Sequence, residues 1–114
     1  MGRIYDNEKE YKTAEKRVRK MERSFSRAKA ASERLRKAME DYSRSLADLG
    51  ELSSYYSGDW RRDYEADENG EFPAELKRGA LSEDGLWDLF SDIGELAGDM
   101  RELADRTEAA LRSE

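Results

Sequence analysis

A chain of 114 residues with 37% apolar and 42% charged side chains has little to bury by itself, and suits long amphipathic helices better than a compact globule. It contains no Cys and no His, which excludes disulfides, thiol nucleophiles, imidazole bases and the ordinary zinc, haem or iron–sulfur sites. The net charge of −6 is unevenly divided: residues 1–50 hold 14 Lys/Arg against 9 Asp/Glu, and residues 51–114 hold 7 against 18. A basic half and an acidic half can fold onto each other or face unlike partners.

The opening "MGRIYDNEKE" lacks the apolar run of a signal peptide, and no later stretch is apolar enough to span a membrane, so a soluble cytoplasmic protein is expected. The long segment that follows has a strict heptad pattern. Ile4, Tyr11, Val18, Phe25, Ser32, Met39 and Leu46 recur at one seam position; Ala14, Met21, Ala28, Leu35, Tyr42 and Leu49 fill the other. This spacing predicts one helix from about residue 5 to about residue 50, ending at Gly50 and roughly 70 Å long. Lys12, Lys16, Arg19, Lys20, Arg23, Arg27, Arg34 and Lys37 lie off the seam and give the helix a basic outer stripe.

Residues 51–81 are too long for a plain helix–helix turn and too aromatic for a disordered linker. Ser57 is a candidate cap for a short helix through "GDWRRDYEA", which would stack Trp60 on Tyr64 one turn later. "ENGEFP" reads as a turn, and Pro73 is placed to start a second short helix, "PAELKR", ended by Gly79. The last helix is expected from Ser82 as N-cap, with Glu83 and Asp84 in its first turn, to about residue 112. Its seam is Leu86, Leu89, Ile93, Leu96, Met100 and Leu103, widened by Trp87, Phe90, Ala97, Ala104 and Leu111. At roughly 45 Å it is about 25 Å shorter than the first helix. The uncovered seam points to a homodimer that forms an antiparallel bundle; the alternative is a monomeric hairpin with a frayed end.

For chemistry the sequence offers little. "EADENGEF" places Glu65, Asp67 and Asn69 before Gly70 as in a calcium loop, but the position that should carry the closing Glu is Leu76, and Pro73 interrupts the loop. A solvated acidic turn is the plainer reading. Asp59, Asp63 and Asp67 recur every four residues, and with Arg61 and Arg62 among them ion pairing explains the cluster better than acid–base work. No Ser, Thr or Lys has a base to activate it, so no enzyme, metal or cofactor is expected. The basic stripe suits phosphates, although without interleaved aromatics; the acidic half suits mimicry of nucleic acid towards a basic partner.

The stretch "DWRRDYEADENGEFPAELKRGALSEDGLWDLF" resembles a family of small bacterial proteins of about this length, filed as a domain of unknown function. The resemblance rests on Tyr55, Tyr56, Trp60, the run Asp63 to Glu68, Gly70, Pro73, Leu76 to Gly79 and Leu81 to Asp84, and covers roughly residues 52–93. It implies a small bacterial or phage-borne helical protein and carries over no catalytic or binding residue.

The expectation is one all-α domain: a long basic N-terminal helix (1–50), an acidic-aromatic connection (51–81) and a returning C-terminal helix (82–114). It is expected to work as a dimeric interaction or scaffold module whose protein partner meets Tyr55, Tyr56, Asp59, Asp63, Glu65, Asp67, Glu68, Lys77 and Arg78. Trp60 and Tyr64 are expected to pack inward and the carboxylates to face out. Nucleic-acid binding through the basic stripe is the second reading.

Overall fold

A computed structural model describes residues 2–112. Among them lie four α-helices and no strand: α1 (Glu8–Arg44), α2 (Leu46–Ser57), α3 (Trp60–Glu68) and α4 (Gly85–Leu111). The all-α expectation holds. The chain divides into two compact units, one ending at Ala47 and the other beginning at Asp48.

In the first unit, α1 starts three residues later than its heptads suggest, because Asn7 stops the chain in an extended conformation and caps it. The Asn7 side chain accepts from the Glu10 amide at 2.9 Å, and the Glu10 carboxylate accepts from the Asp6 amide at 3.3 Å. Two otherwise orphaned amides are thereby satisfied. The residues before the cap fold back, so that Arg17 donates to the Tyr5 hydroxyl at 3.0 Å. Tyr5, Tyr11 and Val18 surround Ala14, which becomes the one buried residue of α1. Beyond it the seam is open: Val18, Met21, Phe25, Leu35 and Met39 are 57, 52, 61, 50 and 59% exposed.

The single long helix to Gly50 is corrected at Ser45. There both the amide (2.9 Å) and the hydroxyl (2.7 Å) of Ser45 donate to the Tyr42 carbonyl, three residues back. That tightens the last turn and interrupts the α-helical ladder. The chain then re-enters helix and runs through Gly50, which lies inside α2 with open space where a Cβ would be. An interior Gly costs only ~1 kcal/mol against Ala, too little to stop a helix that the following Leu52, Tyr55 and Tyr56 help to anchor.

In the second unit, Ser57 does not cap the short helix; it ends α2, its hydroxyl donating to the Ser53 carbonyl at 2.9 Å. Gly58 and Asp59 turn the chain into α3. This helix ends in a Schellman motif: the Gly70 amide donates to the Asp67 carbonyl and the Glu71 amide to the Ala66 carbonyl, each at 3.0 Å. Gly70 takes the left-handed conformation the motif needs, with φ +74°.

Two further expectations are corrected between residues 71 and 84. "PAELKR" forms a single turn, with the Leu76 amide on the Pro73 carbonyl at 3.1 Å, and not a helix. The carbonyls a helix would use as acceptors are taken by the Arg78 guanidinium, as described below. Ser82 is not the N-cap of α4; its hydroxyl donates to the Gly79 carbonyl at 2.9 Å, and Asp84 occupies the cap position without a side-chain bond. Gly85 opens α4, and no larger residue fits there, since a Cβ would collide with the Gly79 carbonyl and the Ser82 hydroxyl.

The core of this unit is small. Leu81 and Leu86 are buried, while Leu52, Tyr56, Trp60, Ala66, Phe72, Phe90, Ile93 and Ala97 are half-buried around them. On α4 the inward face is therefore Leu86, Phe90, Ile93 and Ala97, at helical spacing. Leu89, Leu96, Met100 and Leu103, expected in its main seam, are each about two-fifths exposed or more, and Trp87 is 60% exposed.

Candidate functional site

The connection between α2 and α4 brings together most of the residues expected to meet a partner, and it does so with three locks. In the first, Trp60 stands at the start of α3 with Tyr56 one turn before it and Tyr64 one turn after. The Trp60 and Tyr64 rings stack, with centroids 5.0 Å apart and planes at 22°. Tyr56 meets Trp60 edge-on at 5.2 Å and Phe90 at 5.8 Å, which ties α2 and α3 to α4. The Trp60 indole N–H donates to the Ala80 carbonyl at 2.8 Å. The expected Trp60–Tyr64 stack is present, and both rings are half-buried.

Arg78 makes the second lock. Its Nε donates to both oxygens of Asp67 at 2.8 and 2.9 Å. Its Nη1 donates to the carbonyls of Leu76 (2.7 Å) and Ala74 (3.3 Å), and its Nη2 to that of Pro73 (2.9 Å). One planar, fixed-fork guanidinium thus closes the whole turn from Pro73 to Arg78 onto α3. The ion partner of Asp67 is Arg78 and not Arg61 or Arg62, which make no ion pair among the described residues.

In the third lock, the Tyr55 hydroxyl of α2 donates to the Asp63 carboxylate of α3 at 2.6 Å. Burial first, then the hydrogen bond to Asp63 and the negative charges of Asp63 and Asp59, push the Tyr55 phenol up from 10.0 to about 12. The Tyr64 phenol is also raised, chiefly by the charge of Glu68, with burial and Glu83 adding to it. A phenol that keeps its proton longer in the folded chain contributes stability that is complete below pH 10 and is lost as pH rises towards 12. Tyr55→Phe should therefore remove one late step from the phenolate absorbance titration. It should also cost about 1 kcal/mol below pH 10, by leaving Asp63 without its donor. A late step that survives the substitution would assign it to another tyrosine.

The nine expected partner residues fall into two groups. Tyr55, Tyr56, Asp63, Asp67 and Arg78 are half-buried and engaged inside the unit, whereas Asp59, Glu65, Glu68 and Lys77 are exposed. The expectation that the carboxylates face out holds for Asp59, Glu65 and Glu68 and is corrected for Asp63 and Asp67, which are turned in by a phenol and a guanidinium. The calcium-loop reading meets the same obstacle. Glu65 and Asp67 lie within α3, Asn69 is its C-cap and Gly70 its left-handed terminator, so these residues do not encircle a cation. Among the described residues, no three His, Cys, Asp or Glu side chains are grouped to hold a metal.

Two features of the site were not foreseen: the Ala80 carbonyl as acceptor for Trp60, and Leu81 as a core residue. "GALSED" carries no periodicity that would mark Leu81 as buried. No helix among the described residues is long and apolar enough to cross a membrane.

A family model described as Domain of unknown function (DUF4298) matches residues 18–103, well beyond the 52–93 stretch and across most of α1. No curated protein and no solved structure matches the chain. The chain belongs to the family so described.

Proposed function

We propose that this member of the DUF4298 family is a non-enzymatic interaction module. It self-associates through α1 and presents the outer face of residues 55–79 to a protein partner. The observation that carries this reading is the open α1 seam, where Val18, Met21, Phe25, Leu35 and Met39 are each half exposed or more along a helix that is polar elsewhere. A contiguous apolar stripe with a polar rim is costly in water and is the usual mark of an interaction surface. Support for the second surface comes from its rigidity. The three locks fix the backbone under Asp59, Glu65, Glu68 and Lys77, so a partner would not have to order them.

Nucleic-acid binding is the second reading. It is favoured by the exposure of Lys12, Lys16, Arg19, Lys20, Arg23, Arg27, Arg34 and Lys37 on one continuous helix. Bacterial or phage origin and a cytoplasmic location belong to the same proposal. Affinity capture from bacterial lysate by the tagged chain, with and without nuclease, separates the two readings. Protein retained regardless of nuclease, and lost when Glu65, Glu68 and Lys77 are replaced by Ala, supports the first. Retention that vanishes with nuclease or with moderate salt transfers the function to the basic stripe.

A further inference from the structure

We infer that the occupant of the α1 seam is a second copy of this chain, lying antiparallel in one register, with the twofold axis close to Ser26. This deepens the self-association proposed above and rests on it. Two positions flank the seam in each heptad. On one flank lie Glu8, Glu15, Glu22, Lys29, Arg36 and Ser43; on the other, Glu10, Arg17, Ser24, Ala31, Ala38 and Ser45. The first flank changes sign between Glu22 and Lys29, near the middle of α1, which runs unbroken from Glu8 to Arg44.

That sign change selects an orientation. In an antiparallel pair like flanks face each other, and in a parallel pair unlike flanks do. Antiparallel, Glu15 faces the second copy's Arg36 and Glu22 its Lys29. The twofold axis repeats both pairs, giving four attractive contacts and no like-charge contact. Parallel, Glu10 faces Glu15, Arg17 faces Glu22, and each remaining flank pair has at least one neutral member, so the charges give no net preference. Glu22, Lys29 and Arg36 make no ion pair among the described residues, and the contact between Glu15 and Arg19 is a long 3.8 Å on an exposed surface.

The same charges select the register. Sliding the second copy by one heptad in one direction sets Lys29 against Lys29, and in the other direction Glu22 against Glu22. In the favoured register the seam layers are Val18 on Leu35, Met21 on Ser32 and Phe25 on Ala28, each repeated by symmetry. The largest side chain thus meets one of the smallest at the two central layers. Ser32, the one small polar residue of the seam, donates to the Ala28 carbonyl of its own helix at 2.8 Å and brings no orphaned donor into the interface. Next to it, Ser32, Leu35, Arg36 and Met39 line an open groove. With roughly 100 Å² still open on each of Tyr11, Val18, Met21, Phe25, Leu35 and Met39, two copies would bury on the order of 1,200 Å², the lower edge of a specific interface.

The test uses the full chain. Sedimentation equilibrium should show a dimer for the natural sequence and a monomer for E15K/E22K, which turns all four attractive contacts into like-charge ones. Adding K29E/R36E to those two changes should restore the dimer, because the antiparallel pairs are then regenerated with opposite sign. Spin labels on single cysteines, which leave all four charges in place, report orientation. Lys12→Cys should give a distance of about 40 Å and Ser26→Cys about 20 Å, whereas a parallel pair gives the short distance for both. Far-UV circular dichroism checks that each variant remains helical. A natural chain that stays monomeric throughout overturns self-association as a whole. A dimer indifferent to E15K/E22K, or one with two short label distances, overturns the antiparallel register and leaves self-association standing.

Discussion

Replacing Arg78 with Ala is expected to lower the stability of the 48–114 unit by about 2–3 kcal/mol, more than any other single exposed-looking charge in the chain. The guanidinium makes five hydrogen bonds, two to Asp67 and three to the carbonyls of Pro73, Ala74 and Leu76. Its removal leaves Asp67, with 19% of its side chain exposed, beside three carbonyls whose only side-chain donor is gone. The figure is set below the 3–5 kcal/mol of a fully buried broken pair because the Arg78 side chain is itself 32% exposed and water screens part of the loss. Urea unfolding followed by tryptophan fluorescence reads this directly, since Trp60 and Trp87 both lie in this unit. Arg78→Lys distinguishes the two contributions. An ammonium can keep the charge of the Asp67 pair but cannot reach three carbonyls in a plane, so it should recover less than half of the loss. A variant within ~0.5 kcal/mol of the natural chain would mean that the turn is held by its backbone alone.

Trp60→Ala should cost about 3–4 kcal/mol in the same assay. The ring is the middle member of the Tyr56–Trp60–Tyr64 series, and its indole N–H is the link from α3 to the turn at Ala80. Truncation removes two aromatic contacts and one hydrogen bond together. It also frees Leu81, the next residue and one of the two buried leucines of the unit, to separate from α3. Trp60→Phe keeps a ring for both tyrosines and loses only the bond to Ala80, so about 1 kcal/mol is expected. The near-ultraviolet dichroism of the stacked pair should disappear in the Ala variant and persist, reduced, in the Phe variant. Equal losses in the two would place the stabilisation in the Ala80 bond and not in the stack.

Both predictions concern a segment whose importance is legible in the sequence but whose mechanism is not. Aromatics at a helix corner, a Gly at "ENG" and a lone Pro announce an ordered turn, and the Trp60–Tyr64 stack follows from helical spacing alone. That Arg78 would fold back on carbonyls two to five residues before it is a different matter. It depends on Asp67 being delivered to the right place by the end of α3, a contact over eleven residues that no local pattern encodes. The same reason explains why "PAELKR" reads as a helix and is not one. Its propensities favour a helix, and a tertiary acceptor set outbids them. Ser82 fails as a cap for a related cause, because the close approach of Gly85 to Gly79 draws its hydroxyl to the Gly79 carbonyl.

The sequence by itself determined the helices, the heptad seam, the basic stripe and the absence of His and Cys chemistry, because periodicity and composition act within a few turns of chain. The exposed α1 seam and its sign-changing flank are likewise written in linear order. Only the tertiary structure decided where the helices break and which carboxylates turn inward. Ser45, Asp63, Asp67 and Arg78 are polar residues whose sequence context is ordinary. What distinguishes them is the geometry of the donor or acceptor each one meets, and a hydrogen bond, being short and directional, is specified by position in space and not by residue type.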